Sequence, residues 1–298
     1  MLLRYKLLAI DFDGTLLTPV GRVSPRSRQA IHRAKAAGLR ICFATGRNLT
    51  ESHSVLEQVG YFEESVFAGG AMVIDTSTGK TLRRSTMAPD LARWVCAFLE
   101  ARDHVVLALQ DTASAGVDYV IANTAPHRPL NPATENWLKI TTSKVRQVPA
   151  LGQYDHEHTV RVGIVDEPRQ AQATKAQLDV EFQSSIVSHS LFVTAYGMEV
   201  VEVFDPAVDK WQGVRFVADR HGIAPDEIIA IGDDVNDLPM LESAGLGVAM
   251  GNAHPRAVAA ARLQIGTNTH DGLAIFIEQI LDGAIDLPPP EKRKNPAG

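Results

Sequence analysis

The sequence predicts an α/β fold, a doubly wound parallel-sheet core with an inserted α+β unit. Three observations carry that prediction. A short apolar run, Leu7-Leu8-Ala9-Ile10, reads as a buried strand and ends in two carboxylates one residue apart, Asp11 and Asp13, followed by Gly14. Strand-like runs then alternate with helical patterns to about residue 86, as parallel strands joined by right-handed crossovers would. Over 87–188 the order changes to paired strands with helices between them, and from 189 the first pattern returns. The organisation expected is a core in two segments, 1–86 and 189–285, an insertion over 87–188, and a Pro- and charge-rich tail over 286–298 with the composition of a disordered segment.

In chain order, Ser24-Pro25 is an N-cap followed by proline at the first helical position, and Gly38 closes that helix. A strand over 39–44 ends in Thr45-Gly46-Arg47, a helix covers 50–59, a strand covers 66–68, and 72–83 reads as a hairpin. In the insertion, a helix over 89–102 has Leu91, Trp94, Val95, Phe98 and Leu99 at helical spacing, which predicts one buried face. Strands over 105–109 and 117–122, a Pro-rich loop over 126–132, strands over 144–148 and 159–165, a helix over 167–178 and a strand pair ending before Tyr196 complete it. The core resumes with a strand over 198–204, a helix over 210–221, a strand over 228–231, the loop Gly232-Asp233-Asp234-Val235-Asn236-Asp237 and a helix over 238–244. A strand over 247–250, a helix over 255–262, a strand-like 263–265 and a helix over 271–281 finish it.

The composition is that of an ordinary globular protein, with 298 residues, 45% hydrophobic and 21% charged. A formal net charge of −6 argues against a general nucleic-acid binder, whose footprint would be basic. Two cysteines give no disulfide framework. The apolar run after Arg4 and Lys6 is too short for a signal peptide, and no segment has the length of a membrane span. The expectation is a cytoplasmic protein, a monomer or weak homodimer, with a small anionic partner and neither nucleic acid nor membrane among its partners.

The chemistry-bearing residues fall at strand ends, where ligands bind in open α/β sheets. Asp11 and Asp13 would repel unless a cation or proton joins them, and Mg2+ accepts carboxylate oxygens while keeping sites for water and phosphate. A calcium loop fails, because counting from Asp11 puts Thr15, Leu16 and Arg22 at its last three key positions. With Thr45, Gly46, Lys210, Asp233 and Asn236, the set suits phosphoryl transfer through a covalent aspartyl phosphate. Asp11 would be the nucleophile, and Asp13 the general acid and then base. The metal ligands expected are Asp11, Phe12 through its carbonyl, Asp13 and Asp233, while Thr45, Gly46, Lys210 and Asn236 hold the phosphate.

These residues resemble the haloacid dehalogenase-like hydrolase superfamily. Asp11-Phe12-Asp13-Gly14-Thr15-Leu16-Leu17 looks like its first motif, Ala44-Thr45-Gly46-Arg47 its second, Lys210 its third, and Gly232-Asp233-Asp234-Val235-Asn236-Asp237 its fourth. The insertion between the second and third motifs implies the Cof-type branch, with its type IIB cap on a Rossmann-like core. Segments 247–253, Asn268 and 271–274 extend the similarity, whereas Gly69 stands where the branch usually has asparagine, beside the cap hinge expected near 84–87 and 188–190. The resemblance implies a magnesium-dependent phosphatase of sugar phosphates or similar metabolites, with the cap selecting among them and closing over the site. Asp237 is expected to orient its neighbours from behind the site, and Asp234 to do so with it.

Each residue also has a plainer role. Asp11 and Asp13 could belong to a solvated turn, Thr45 could merely end a strand, Lys210 could be a solvated helix-start lysine, and Asp233 and Asp234 could cap the helix after them. A lysine at a helix amino terminus is nevertheless disfavoured unless an anion compensates. His156 and His158 lack further partners at ligand spacing, and Cys42 reads as an inert buried thiol. Alternative functions are a phosphomutase of the same superfamily, a non-catalytic phosphometabolite-binding protein, whose mark would be a lost Asp11 or Asp13, and a phosphoryl-accepting receiver, which needs neither Asp13 as a leaving-group acid nor a cap.

Overall fold

The structure is a computed structural model and describes residues 4–61, 63–122, 130–140, 142–193 and 197–285. The tail expected over 286–298, most of the loop over 126–132 and the end of the strand pair near Tyr196 lie outside the described residues. Two compact units emerge, Met1–Gly79 with Asp209–Gly298, and Lys80–Val208. The chain runs through β1 (Leu7–Ile10), α1 (Pro25–Ala36), β2 (Arg40–Phe43), α2 (Leu49–Val59), β3 (Glu64–Phe67) and β4 (Met72–Asp75). The second unit takes β5 (Lys80–Arg84), α3 (Pro89–Glu100), β6 (Val106–Gln110), α4 (Thr112–Ala115), β7 (Tyr119–Ala122), α5 (Pro132–Ile140) and β8 (Val145–Gln147), then β9 (Thr159–Asp166), α6 (Pro168–Phe182), β10 (Val187–Val193) and β11 (Met198–Phe204). The first unit resumes with α7 (Lys210–Arg220), β12 (Ile228–Gly232), α8 (Leu238–Ser243), β13 (Leu246–Ala249), α9 (Pro255–Ala260), β14 (Leu263–Gln264) and α10 (Gly272–Leu281).

The first unit holds a five-stranded sheet in the order β14-β13-β12-β1-β2, every pair parallel. Every residue of β1 is buried, as a strand covered on both faces requires. Ser24 caps α1 by accepting the Ser27 amide, and Asn48 with Glu51 forms a capping box on α2. These caps fix where each helix starts, and so where the preceding loop must sit. The doubly wound expectation holds. Among the described residues, no helix is long and apolar enough to cross a membrane.

The second unit is a six-stranded sheet, β10-β11-β9-β6-β7-β8, antiparallel except for β7 with β8. Alternate residues of its strands, such as Val106, Ala108, Val162, Ile164, Val201 and Val203, pack with Val95, Cys96 and Leu99 of α3 and Leu178 of α6. This α+β unit is longer than the expected 87–188. Its limits are Lys80 and Val208, and the later one moves outward because β10 and β11 pair antiparallel over seven residues and β11 also pairs with β9. The strand expected to reopen the core at 198–204 therefore belongs to the inserted sheet. Trp94, expected on the buried face of α3, is 65% exposed; Ala92, Val95, Cys96 and Leu99 are the α3 residues in the core. His156 is buried, bonded to the Thr159 hydroxyl and the Leu151 carbonyl (2.9 and 2.8 Å), and burial lowers its pKa, so its role is structural. Cys42 is a free buried thiol, pushed up to about 12 by burial.

Candidate active site

The first unit builds a site where β1, β2 and β12 end. Asp11 follows β1 in an extended conformation, and its amide donates to the Ile231 carbonyl at 3.0 Å, so its carboxylate starts from backbone held on the sheet. The next residues make a wide turn closed by the Leu16 amide on the Asp11 carbonyl and the Leu17 amide on the Phe12 carbonyl, 3.2 and 2.8 Å. Gly14 sits at φ +77°, and a Cβ there would lie 2.0 Å from Oδ2 of Asp233. Only glycine allows this turn and the Asp233 side chain to approach so closely.

Lys210 enters at the start of α7. Asp209 caps that helix by accepting the Gln212 amide, and its carbonyl oxygen lies where a Cβ on Gly70 (φ +112°) would come within 1.9 Å. Gly70 thus lets the head of α7 pack against the loop after β3. Lys210 is 1% exposed, and its Nζ donates to Oδ1 of Asp11 at 2.7 Å and to Oδ1 of Asp237 at 2.6 Å, with Oδ1 of Asn236 at 3.5 Å. The anions that offset a lysine at a helix amino terminus are therefore two side chains of this chain. Asp237 is fully buried, and its Oδ2 accepts the amides of Asp233 and Asp234 at 2.9 and 3.1 Å. Asp234 accepts the Val235 amide at 2.7 Å and caps the short turn there.

One carboxylate oxygen from each of Asp11, Asp233 and Asp237 lies within 4.8 Å of the others. Three carboxylates then share one ammonium. Burial pushes the Asp11 carboxyl well above the usual range, with Lys210 opposing and Asp237, Asp233 and Asp13 reinforcing. Burial, then Asp237, pushes Asp233 up to about 7. Burial opposes the charge on Lys210, but Asp11 and Asp237 outweigh it and raise its pKa. The site is short of positive charge, and its donors are hard oxygens, which fits a magnesium ion. Asp237 has both oxygens engaged by Lys210 and two amides, whereas Oδ2 of Asp11 accepts no hydrogen bond from the described residues. Among the described residues the Asp233 carboxylate accepts only the Thr15 hydroxyl at 3.2 Å on Oδ1 and the Asn252 side-chain amide at 3.5 Å on Oδ2. Asp11 and Asp233 are therefore the carboxylates with capacity for a cation.

Two residues expected as metal ligands are engaged elsewhere. The Phe12 carbonyl takes the Leu17 amide, because that bond closes the turn, and the Asp13 carboxylate is held by Nε and Nη2 of Arg47 at 2.8 and 2.5 Å. Thr45 is buried just past β2, beside β1, with its hydroxyl accepting the Arg47 amide at 3.2 Å, and Gly46 follows in the same loop. Sequence reasoning assigned no role to Thr15, Arg47, Asn252 or Asn268. Asn252 donates to the Gly14 carbonyl at 2.8 Å, Asn268 donates to the Leu17 carbonyl at 2.7 Å, and the Asn268 amide donates to Oδ1 of Asn252 at 3.0 Å. Together the two asparagines pin the turn that carries Asp11 and Asp13. Their only sequence signal was the extended family similarity around 247–253 and Asn268.

A family model described as haloacid dehalogenase-like hydrolase matches residues 8–277. This chain belongs to that family. The Cof-type resemblance stated from the motifs agrees with it, and the chain is an enzyme of a family whose relatives are named phosphatases. A 5-amino-6-(5-phospho-D-ribitylamino)uracil phosphatase of Bacillus subtilis is 28% identical over 275 residues, spanning 92% of this chain and 96% of that protein. A pyridoxal phosphate phosphatase of Escherichia coli is 28% identical over 287 residues, spanning 91% and 97%. Among solved structures, a haloacid dehalogenase-like hydrolase from Bacteroides thetaiotaomicron superposes with a TM-score of 0.75 at 23% identity, covering 93% of this chain and 99% of that one, and shares the fold.

Proposed function

We propose that this haloacid dehalogenase-like hydrolase is a magnesium-dependent phosphatase that cleaves a small phosphorylated metabolite through an aspartyl phosphate on Asp11. The observation that carries the reading is the buried set of Asp11, Asp237 and Lys210 beside Asp233, three carboxylates against one ammonium. Both relatives described above are named for phosphorylated small molecules, which supports a substrate of that class.

Oδ1 of Asp11 accepts Lys210 and keeps a lone pair for the cation, leaving Oδ2 to attack phosphorus as the P–O bond to the leaving group breaks. Asp13 gives its proton to the departing alkoxide, which leaves as an alcohol. In the second half, Asp13 as carboxylate takes a proton from water while the water oxygen attacks phosphorus, releasing inorganic phosphate and restoring the Asp11 carboxylate. Lys210, the Thr45 hydroxyl, Gly46 and Asn236 hold the phosphoryl oxygens. Asp11 and Asp233 would hold magnesium, which when bound offsets negative charge between nucleophile and phosphate. Asp237 keeps Lys210 and the 233–234 backbone in place. The second unit carries selection of the leaving group.

Phosphate release from a panel of sugar phosphates, nucleotides and phosphorylated cofactors, with and without magnesium, tests this for the parent and Asp11→Asn. Magnesium-dependent release matching substrate loss and absent in the variant is expected. Full activity in Asp11→Asn excludes the covalent route, and substrate loss without phosphate release shows transfer to a second acceptor.

A further inference from the structure

The Asp13 carboxylate projects from a turn beside a glycine, and its side chain is 59% exposed. Among the described residues its partner is Arg47, whose Nε donates to Oδ2 at 2.8 Å and whose Nη2 donates to Oδ1 at 2.5 Å. Such a fork fixes both the place and the plane of a carboxylate, which a single donor cannot do. Each oxygen keeps a lone pair outside the fork, and one of these carries the proton that Asp13 gives to the leaving oxygen and later takes from water.

Arg47 is itself held at its backbone. Its amide donates to the Thr45 hydroxyl at 3.2 Å, and its carbonyl accepts the Ala68 amide at 2.9 Å. Ala68 is buried at φ +49°, a left-handed conformation that costs a non-glycine residue energy and is held by its surroundings. Immediately after Arg47, Asn48 starts α2 through its capping box with Glu51. Arg47 therefore reaches Asp13 from a rigid base, and the Asp13 side chain, exposed on an otherwise mostly buried turn, has rotamer freedom to lose.

We infer that Arg47 is a positioning residue that orients Asp13 for proton transfer to the leaving oxygen; this rests on the reading of Asp13 as the acid and base of the phosphatase. Arg47 moves no proton and breaks no bond. It acts by confining the carboxylate that does.

The experiment compares kcat/KM for an alkyl phosphate, whose leaving group must be protonated, with that for an aryl phosphate with a good leaving group, which leaves unaided. This ratio reports steps only through departure of the leaving group, so it isolates the acid role. The proteins are the parent, Asp13→Asn, Arg47→Ala, Arg47→Lys and the double variant Asp13→Asn with Arg47→Ala. Misplacing a reacting group costs about 10²-fold, so Arg47→Ala is expected to lose about that on the alkyl phosphate and less than about threefold on the aryl one. Arg47→Lys, with charge but no fork, should fall between, and it carries the test alone if Arg47→Ala does not fold. The double variant should be no worse on the alkyl phosphate than Asp13→Asn. Equal losses of Arg47→Ala and Arg47→Lys on both substrates would make Arg47 a phosphate or structural contact and overturn the inference. So would additive losses in the double variant. If Asp13→Asn itself shows no dependence on the leaving group, the reading of Asp13 has failed first, and the inference falls with it.

Discussion

Replacing Lys210 by Met removes a buried ammonium and leaves a side chain of similar reach. In the parent, that ammonium is 1% exposed and bonds Asp11 at 2.7 Å and Asp237 at 2.6 Å. Breaking one side of a buried ion pair typically costs about 3–5 kcal/mol, and here two carboxylates lose the same partner, which places the loss toward the upper end. Protonation of Asp11, which burial already favours, returns part of it. A net loss of about 4 kcal/mol corresponds to about 10³-fold more frequent opening, at about 1.4 kcal/mol per decade. Hydrogen exchange read on peptides covering β1 and β12 localises the effect to the unit that holds the site. Without magnesium, Lys210→Met should exchange about 10³-fold faster there, and saturating magnesium should narrow the gap by supplying charge to the same carboxylates. A difference below about tenfold would show that the ammonium is not what keeps the buried carboxylates together, and an equal gap with and without magnesium would show that the ion does not sit among them.

The metal-free protein should also respond to pH. Asp233 is pushed up to about 7 from an ordinary value of 3.8, so between those values the folded protein keeps a proton that the unfolded chain has released. Stability should fall as pH rises through that window, level off above about 7, and lose this fall in saturating magnesium. Urea midpoints with chelator and with magnesium check it, and parallel profiles would count against a cation at Asp233. Gly14→Ala places a Cβ 2.0 Å from Oδ2 of Asp233 at a left-handed φ, and calorimetry should find magnesium affinity reduced by about 10–100-fold. Gly70→Ala drives a Cβ to 1.9 Å from the Asp209 carbonyl at the head of α7, and thermal unfolding should show a loss of about 1–3 kcal/mol.

What could be read from the sequence was what is local. The apolar run of β1, the cap Ser24 with Pro25 after it, and each of the four motifs are contained in a few neighbouring residues. The reading of Lys210 as needing an anion was local too, since it followed from a helix start alone. What escaped depends on contacts between distant segments. Asn252 meets Gly14 across 238 positions, and Arg47 meets Asp13 across 34, with no pattern in either segment to announce the pairing. The alternation of β11 is the same in a parallel core and an antiparallel insertion, so period alone put 198–204 in the wrong sheet. Trp94 lies three residues from Leu91 and four from Phe98, at the margin of a helical face wider than the part that packs. The helix α5 did have a signal that went unused, since Asn131 accepts the Thr134 amide at 2.8 Å and Pro132 follows it, an N-cap and first-position proline within what read as a loop.

The central claim is the covalent step at Asp11, and Asp13→Asn isolates it. In that variant an aryl phosphate can still phosphorylate the enzyme, while the water needed for the second half lacks its base. Acid quenching during turnover with magnesium, followed by peptide mass analysis, should find one phosphoryl group on the peptide carrying Asp11, removable by hydroxylamine and absent from Asp11→Asn. Turnover of the aryl phosphate with no phosphoryl group on that peptide at any time would contradict the account and leave direct attack by water in its place.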